Sequence, residues 1–174
     1  ARVAWFPEST RLLVQRQSRD QKQLDVLSYA VTGGEPRELF SERSDTWVEL
    51  HDDLYFLPER REILWASQRS GHNHLYLYDY AGMLKGAVTA GDWDVIGEWN
   101  APAVRGIDER RRRVYFMSTL KTPLERQLYV TALDVASERA PVTLTSQDGW
   151  HNVTMSRDAR RFLMGYSDAA RPPQ

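Results

Sequence analysis

Four apolar runs begin at Leu12, Ile63, Val114 and Phe162, so one short pattern returns after 51, 51 and 48 residues of the 174-residue chain. Each run follows a polar turn that carries acidic and then basic residues, as in PESTR from Pro7, PERRE from Pro58, DERRRR from Asp108 and SRDARR from Ser156. The clearest copy is Pro58 to Asp79. There the run Ile63-Leu64-Trp65 closes on a serine, a polar turn Ser70-Gly71-His72-Asn73 follows, and Leu75 to Tyr78 reads as a strand. That order is a β-hairpin bounded by two turn signals. Second strands of the same kind are Gln23–Leu27 and Gln127–Val130, and a tryptophan behind a small or acidic turn comes later in each unit, at Trp47, Trp93 and Trp150. A period near ~50 residues with about four short strands is the signature of a β-propeller blade. A β-sandwich whose strands merely resemble one another is the alternative.

The pattern implies an all-β chain: a partial β-propeller of about three and a half four-stranded antiparallel blades. The units fall at about 1–45, 46–92, 93–148 and 149–174, the last incomplete, in one continuous segment. Within them, strands are expected at residues 2–6, 12–16, 22–31 and 37–40, then from Trp47 through an irregular stretch at Glu49–Asp53 to Leu57. Further strands are expected at 63–66, 75–78, 84–89, 94–97, 104–107, 113–118, 127–133, 142–145 and, in the last unit, from Trp150 to Tyr166. A loop holding Asn100 separates two of them. Pro36, Pro58, Pro102, Pro123 and Pro141 sit at strand boundaries, where a missing amide donor does least harm. No helix is expected. The best stretch, Val130 to Arg139, is spoiled by Thr131 and Val135, leaving at most a single turn near Asp134 to Ser137. Blades pack face to face, so Trp65, Tyr76 and Phe116 are expected to fill the interfaces, and an unclosed arc leaves apolar end faces and strand edges open.

Composition bounds the function more than the fold. With 41% hydrophobic and 27% charged residues the chain has an ordinary globular make-up, and its formal charge of −1 gives no general attraction to nucleic acid. No run approaches the roughly 18 apolar residues of a membrane helix. Zero cysteines exclude disulfides and thiolate chemistry but leave the compartment open. The opening ARVAWFPEST has neither a methionine nor the layout of a signal peptide, which reads as a segment of something longer.

Candidate chemistry is sparse. Gly165-Tyr166-Ser167-Asp168-Ala169 comes nearest to a G-x-S-x-G nucleophile elbow, but Pro172 and Pro173 stand where the elbow needs a helix, so Ser167 reads as a serine at a strand end, like Ser67 and Ser118. His72, His74 and Asp79 lack a third ligand at zinc spacing, and Asp52-Asp53 and Asp92/Asp94 lack the alternating oxygens of a calcium loop. No metal, cofactor or catalytic residue is therefore assigned. The basic run Arg110–Arg113 stands beside Asp108 and Glu109, which reads as a solvated hairpin turn rather than a phosphate site.

The order TWVELHDDLYFL, ILWASQRSGHNHLYLYD, VTAGDWDVIGEW, VYFMS with ERQLYVTAL, and LTSQDGWHNVTMSRDARRFLMGYS resembles the N-terminal β-propeller of dipeptidyl peptidase IV and the prolyl oligopeptidase group, over residues 5–170. The resemblance implies a parent serine exopeptidase whose propeller covers an α/β-hydrolase domain, gates peptide substrates, and releases Xaa-Pro or Xaa-Ala dipeptides. Its implied partners are that C-terminal hydrolase domain, the peptide and a second copy in a homodimer. The family's glutamate pair, on a D-W-x-Y-x-E-E motif, has no counterpart: Asp92-Trp93 continues Asp-Val-Ile-Gly. In the family the loop matching Glu49–Asp53 brings a side chain toward the substrate, which makes His51, in place of the Phe of vertebrate members, the substrate-contact candidate. The lack of cysteine points to a bacterial type of member, consistent with a periplasmic or secreted parent. A non-enzymatic interaction propeller of the TolB or WD-repeat type is the rival reading.

Overall fold

The computed structural model describes residues 1–98, 101–135 and 140–173. Every helix or strand among them is a strand, and each sheet runs in sequence order with antiparallel neighbours. The first sheet is β1 (Arg2–Trp5), β2 (Arg11–Gln17), β3 (Gln23–Ala30) and β4 (Arg37–Arg43); the second is β5 (Leu54–Leu57), β6 (Glu62–Ser67), β7 (His74–Asp79) and β8 (Leu84–Ala87). The third holds β9 (Val104–Asp108), β10 (Arg113–Ser118), β11 (Gln127–Ala132) and β12 (Val142–Thr143), and a two-stranded sheet of β13 (Trp150–Met155) and β14 (Phe162–Ser167) ends the series. This is a partial β-propeller.

The sequence repeat is a repeat of register. Leu12, Ile63, Val114 and Phe162 each pair with the strand before, opposite Trp5, Phe56, Ile107 and Met155. The turns ahead of them close alike, with Ser9, Arg61, Arg112 and Ala159 in the left-handed region at φ of 53 to 56°, each donating its amide to the carbonyl three residues back. A non-glycine residue there is uncommon, so four at one turn position mark a shared geometry. The register shift at Val26/Leu27 in the first sheet recurs at Leu77/Tyr78 in the second.

Burial on both faces explains why the middle strands read as continuous apolar runs. All six positions of β6 are buried. Ile63 and Trp65 pack with Phe6, Leu13 and Leu24 of the first sheet, while Leu64 and Ala66 pack with Val114, Phe116 and Tyr129 of the third. Trp65 and Phe116 are fully buried and Tyr76 nearly so. Emptying such a site costs about 3–5 kcal/mol. Gly82, at φ 90°, lies against the Leu39 carbonyl, where any Cβ would collide with backbone of the first sheet.

Several expectations are corrected. No strand runs from Trp47 to Asp53: Val48 donates its amide to Gln21 O (2.7 Å) and accepts from Gln17 Nε2 (2.5 Å), so the turn of the first sheet takes its backbone groups. The segment 94–97 is likewise held by irregular bonds, Val95 N to Asn73 O and Ile96 N to Met117 O, with one isolated bridge from Val95 to Ser118. β12 is shorter than 142–145 and β4 runs past Phe40 to Arg43. Val130 to Ala132 belongs to β11. Ser137 of the expected turn, and Asn100, lie outside the described residues.

The arginine turn is corrected too. Arg111 does form an exposed pair with Asp108. Arg112, however, is half-buried against the second sheet: its Nη1 donates to Glu62 Oε2 at 2.7 Å, and Glu62, 1% exposed, also receives Lys85. Glu109 Oε1 meanwhile accepts the amide of Glu59 at 2.6 Å. The acid-then-base spelling of these turns therefore latches neighbouring sheets together.

Candidate functional site

The connections between sheets gather on one side with the polar turns that follow β2 and β6. Between them lies a cavity of about 1170 Å³, bounded by residues from the segments 41–53, 67–73, 94–98 and 101–102. Strand ends of three successive sheets thus meet at one opening, where loops rather than ladders present the side chains.

Carboxylates hold those loops in place. Glu42 Oε1, at the outer strand of the first sheet, accepts from Trp65 Nε1 (2.8 Å) and from Arg69 Nη2 (2.5 Å), and Arg69 also reaches Tyr78 Oη and covers the Tyr76 ring. Buried Asp53 accepts the amides of Ala103 (2.9 Å) and Val104 (3.0 Å) and lies 3.2 Å from Tyr55 Oη, fixing the start of β5 to the start of β9. Asp94 accepts the Asn73 amide at 2.7 Å and sits 3.3 Å from His72 Nδ1. Arg2 pairs with Asp52 across the mouth. Such charge-assisted bonds to backbone donors are among the stronger hydrogen bonds.

His51 lines this cavity, its ring 4.5 Å from the Trp65 ring. Both ring nitrogens are buried without a hydrogen-bond partner among the described residues. Burial holds the imidazole below the usual histidine range, against the opposing pull of Asp53 and Glu42. A neutral imidazole carries one donor and one acceptor, which match a peptide backbone, and with both nitrogens enclosed a turn of the ring toward the cavity is needed to present them.

The remaining candidates lie elsewhere. Ser167 ends β14, paired with Trp150, and a turn follows it. His74 is a buried structural group: Nε2 lies 2.9 Å from Gly91 O, Nδ1 lies 3.1 Å from Thr89 Oγ1, and Thr89 in turn accepts the Leu75 amide. His72 faces Asp94 at the rim. No group of three or more His, Cys, Asp or Glu residues among the described residues is placed to hold a metal. Sequence reasoning missed Glu42, Asp53, Arg69 and Asp94 as builders of the site. Their partners lie 23, 50, 27 and 21 residues away, beyond the reach of any local pattern.

Known proteins are similar to this chain in sequence and fold. The model of the dipeptidyl peptidase IV (DPP IV) N-terminal region matches residues 1–173. Dipeptidyl peptidase 8 of Mus musculus is 28% identical over 164 residues, covering 79% of this chain and 18% of that protein. A probable dipeptidyl-aminopeptidase B of Emericella nidulans is 30% identical over 187 residues, covering 99% of this chain and 20% of that one. The crystal structure of Porphyromonas gingivalis dipeptidyl peptidase 4 superposes with a TM-score of 0.82 at 23% identity, over 98% of this chain and 23% of that chain. The chain spans about one fifth of the length of the curated relatives it matches. With its whole described length matched, the chain belongs to the dipeptidyl peptidase IV N-terminal region family.

Proposed function

We propose that this chain is the non-catalytic propeller portion of a serine exopeptidase resembling dipeptidyl peptidase IV, which releases Xaa-Pro and Xaa-Ala dipeptides from peptide N-termini. The relatives' names support the reaction class. The observation that carries the chain's own part is the cavity of about 1170 Å³, open among the loops, with His51 on its wall. In this reading the propeller admits peptides by size, and the loop side docks a C-terminal α/β-hydrolase domain of the same parent, which supplies the nucleophile. The parent works as a homodimer. The units at about 1–45, 46–92, 93–148 and 149–174 are its consecutive blades.

His51 contacts the substrate through a ring nitrogen. The test is steady-state kinetics of the full-length gene product on Gly-Pro-p-nitroanilide and on a longer Xaa-Pro peptide. His51→Ala is expected to raise KM for the longer peptide about tenfold, the size of one lost hydrogen bond to a neutral group, with kcat nearly unchanged. An unchanged KM sinks the role of His51. A full-length gene product without dipeptidyl peptidase activity sinks the whole reading in favour of an interaction propeller.

A further inference from the structure

Arg105, on β9, and Arg126, just before β11, have side chains only 8% exposed each, and both turn to Glu98. Arg105 Nη2 donates to Glu98 Oε1 at 3.1 Å, and Arg126 Nη1 lies 3.4 Å from the same oxygen. A guanidinium carries five N–H donors in a rigid fork and keeps its charge in a protein. Here two forks converge on one carboxylate oxygen, and the Nε of each is buried with no acceptor among the described residues. Asp53, which touches the backbone beside Arg105, spends its oxygens on two amides and on Tyr55. Among the described residues, then, two guanidiniums share one carboxylate oxygen in a place largely removed from water, and each keeps a buried N–H without an acceptor, which is costly.

Arg126 has no freedom to turn its charge outward. Its amide donates to Gly149 O (3.2 Å), its carbonyl accepts from the His151 amide (3.1 Å), and its guanidinium lies 4.2 Å over the Trp150 ring. The seam between the third and fourth sheets thus fixes it. Burial holds Arg126 below the usual arginine range, with Arg105's charge adding to burial and Glu98 opposing both.

We propose that Arg105, Arg126 and Glu98 form a receptor for one oxyanion, a carboxylate or a phosphate, at the seam between the third and fourth sheets. The anion supplies acceptors to N–H groups of both forks that Glu98 leaves without a partner, while Glu98 sets their spacing. Glu98 also lines the cavity that carries His51, but the site does not depend on the reaction proposed above.

The test is calorimetric titration of the full-length gene product at constant ionic strength in chloride, with sodium phosphate in one arm and sodium acetate in the other. Saturable binding of one equivalent is expected in at least one arm, and the arm that responds identifies the chemistry. Arg126→Met and Arg105→Met are each expected to weaken it about tenfold or more, the scale of one charge-assisted hydrogen bond. Glu98→Gln removes the competing carboxylate and is expected to tighten it severalfold. No saturation in either arm, or binding unchanged by the arginine substitutions, overturns the site. Should the arginine variants fail to fold, Glu98→Gln decides alone: unchanged or weaker binding overturns the proposal.

Discussion

The hairpins β6–β7 and β13–β14 carry the same repeat and sit in opposite surroundings. In β6 every residue is buried, and its repeat-phased Ile63 is fully enclosed. In β14 no residue is fully buried; Phe162, in the same register, is 40% exposed and Leu163 is 77% exposed. Both strands are apolar and both pair correctly. What separates them is the number of sheets beside them: β6 lies between two, whereas β14 pairs with β13 alone. A blade's stability therefore comes from the faces of its neighbours more than from its own strand pairing.

The largest contrast is expected from side-chain truncation. Trp65→Ala should cost about 3–5 kcal/mol in chemical denaturation, and Leu163→Ala less than about 1 kcal/mol. Equal losses would break the comparison.

Next comes the latch between the second and third sheets. Arg112→Met strands most of the charge on buried Glu62 and should cost about 3 kcal/mol, the low end for a broken buried pair because Lys85 stays in place. Adding Glu62→Gln should recover part of the loss, which a double-mutant cycle measures. A loss below about 0.5 kcal/mol would return this turn to the solvated class.

Asp53→Asn should cost about 1–3 kcal/mol, since the amide's single carbonyl oxygen replaces two carboxylate oxygens facing the amides of Ala103 and Val104. Amide exchange should quicken at the start of β9 before it does in β6.

The smallest effect at neutral pH, and the sharpest, concerns His74. Gln127 occupies the corresponding place in the third sheet: its Nε2 donates to Gln147 O, its Oε1 accepts from Thr145 Oγ1, and Thr145 accepts the Leu128 amide. Burial lowers the His74 pKa from its ordinary 6.5. The unfolded chain therefore binds the proton first as pH falls, so stability is complete above about 6.5 and declines from there down to the folded value. His51 is lowered by burial as well and acts with the same sign. His74→Gln should leave stability at pH 8 nearly unchanged and flatten this acid slope, as thermal melts between pH 8 and pH 5 would read. An unchanged slope would assign the acid sensitivity to other groups.

The blade architecture was legible because two-sided burial writes itself into local sequence. Runs such as Ile63-Leu64-Trp65 and Val114-Tyr115-Phe116 keep their phase over the whole chain. The Trp47, Trp93 and Trp150 pattern, by contrast, joins unlike positions: the first two lie in loops and the third begins β13. The two supposed strands at 47–53 and 94–97 failed for one reason. In each, one central amide, Val48 N or Val95 N, is taken by a turn of the preceding sheet, and no alternation in sequence records a partner so far away. Of the site, His51 was legible only through family likeness. The carboxylates that shape the cavity were hidden among ordinary surface-like acids.

Hydrogen exchange of the isolated 174-residue chain tests most directly whether neighbouring faces hold each blade. The account predicts that amides of β6 and β7 exchange slowest, near the rate of global unfolding, while those of β13 and β14 exchange orders of magnitude faster. Equal protection of the two hairpins would contradict it.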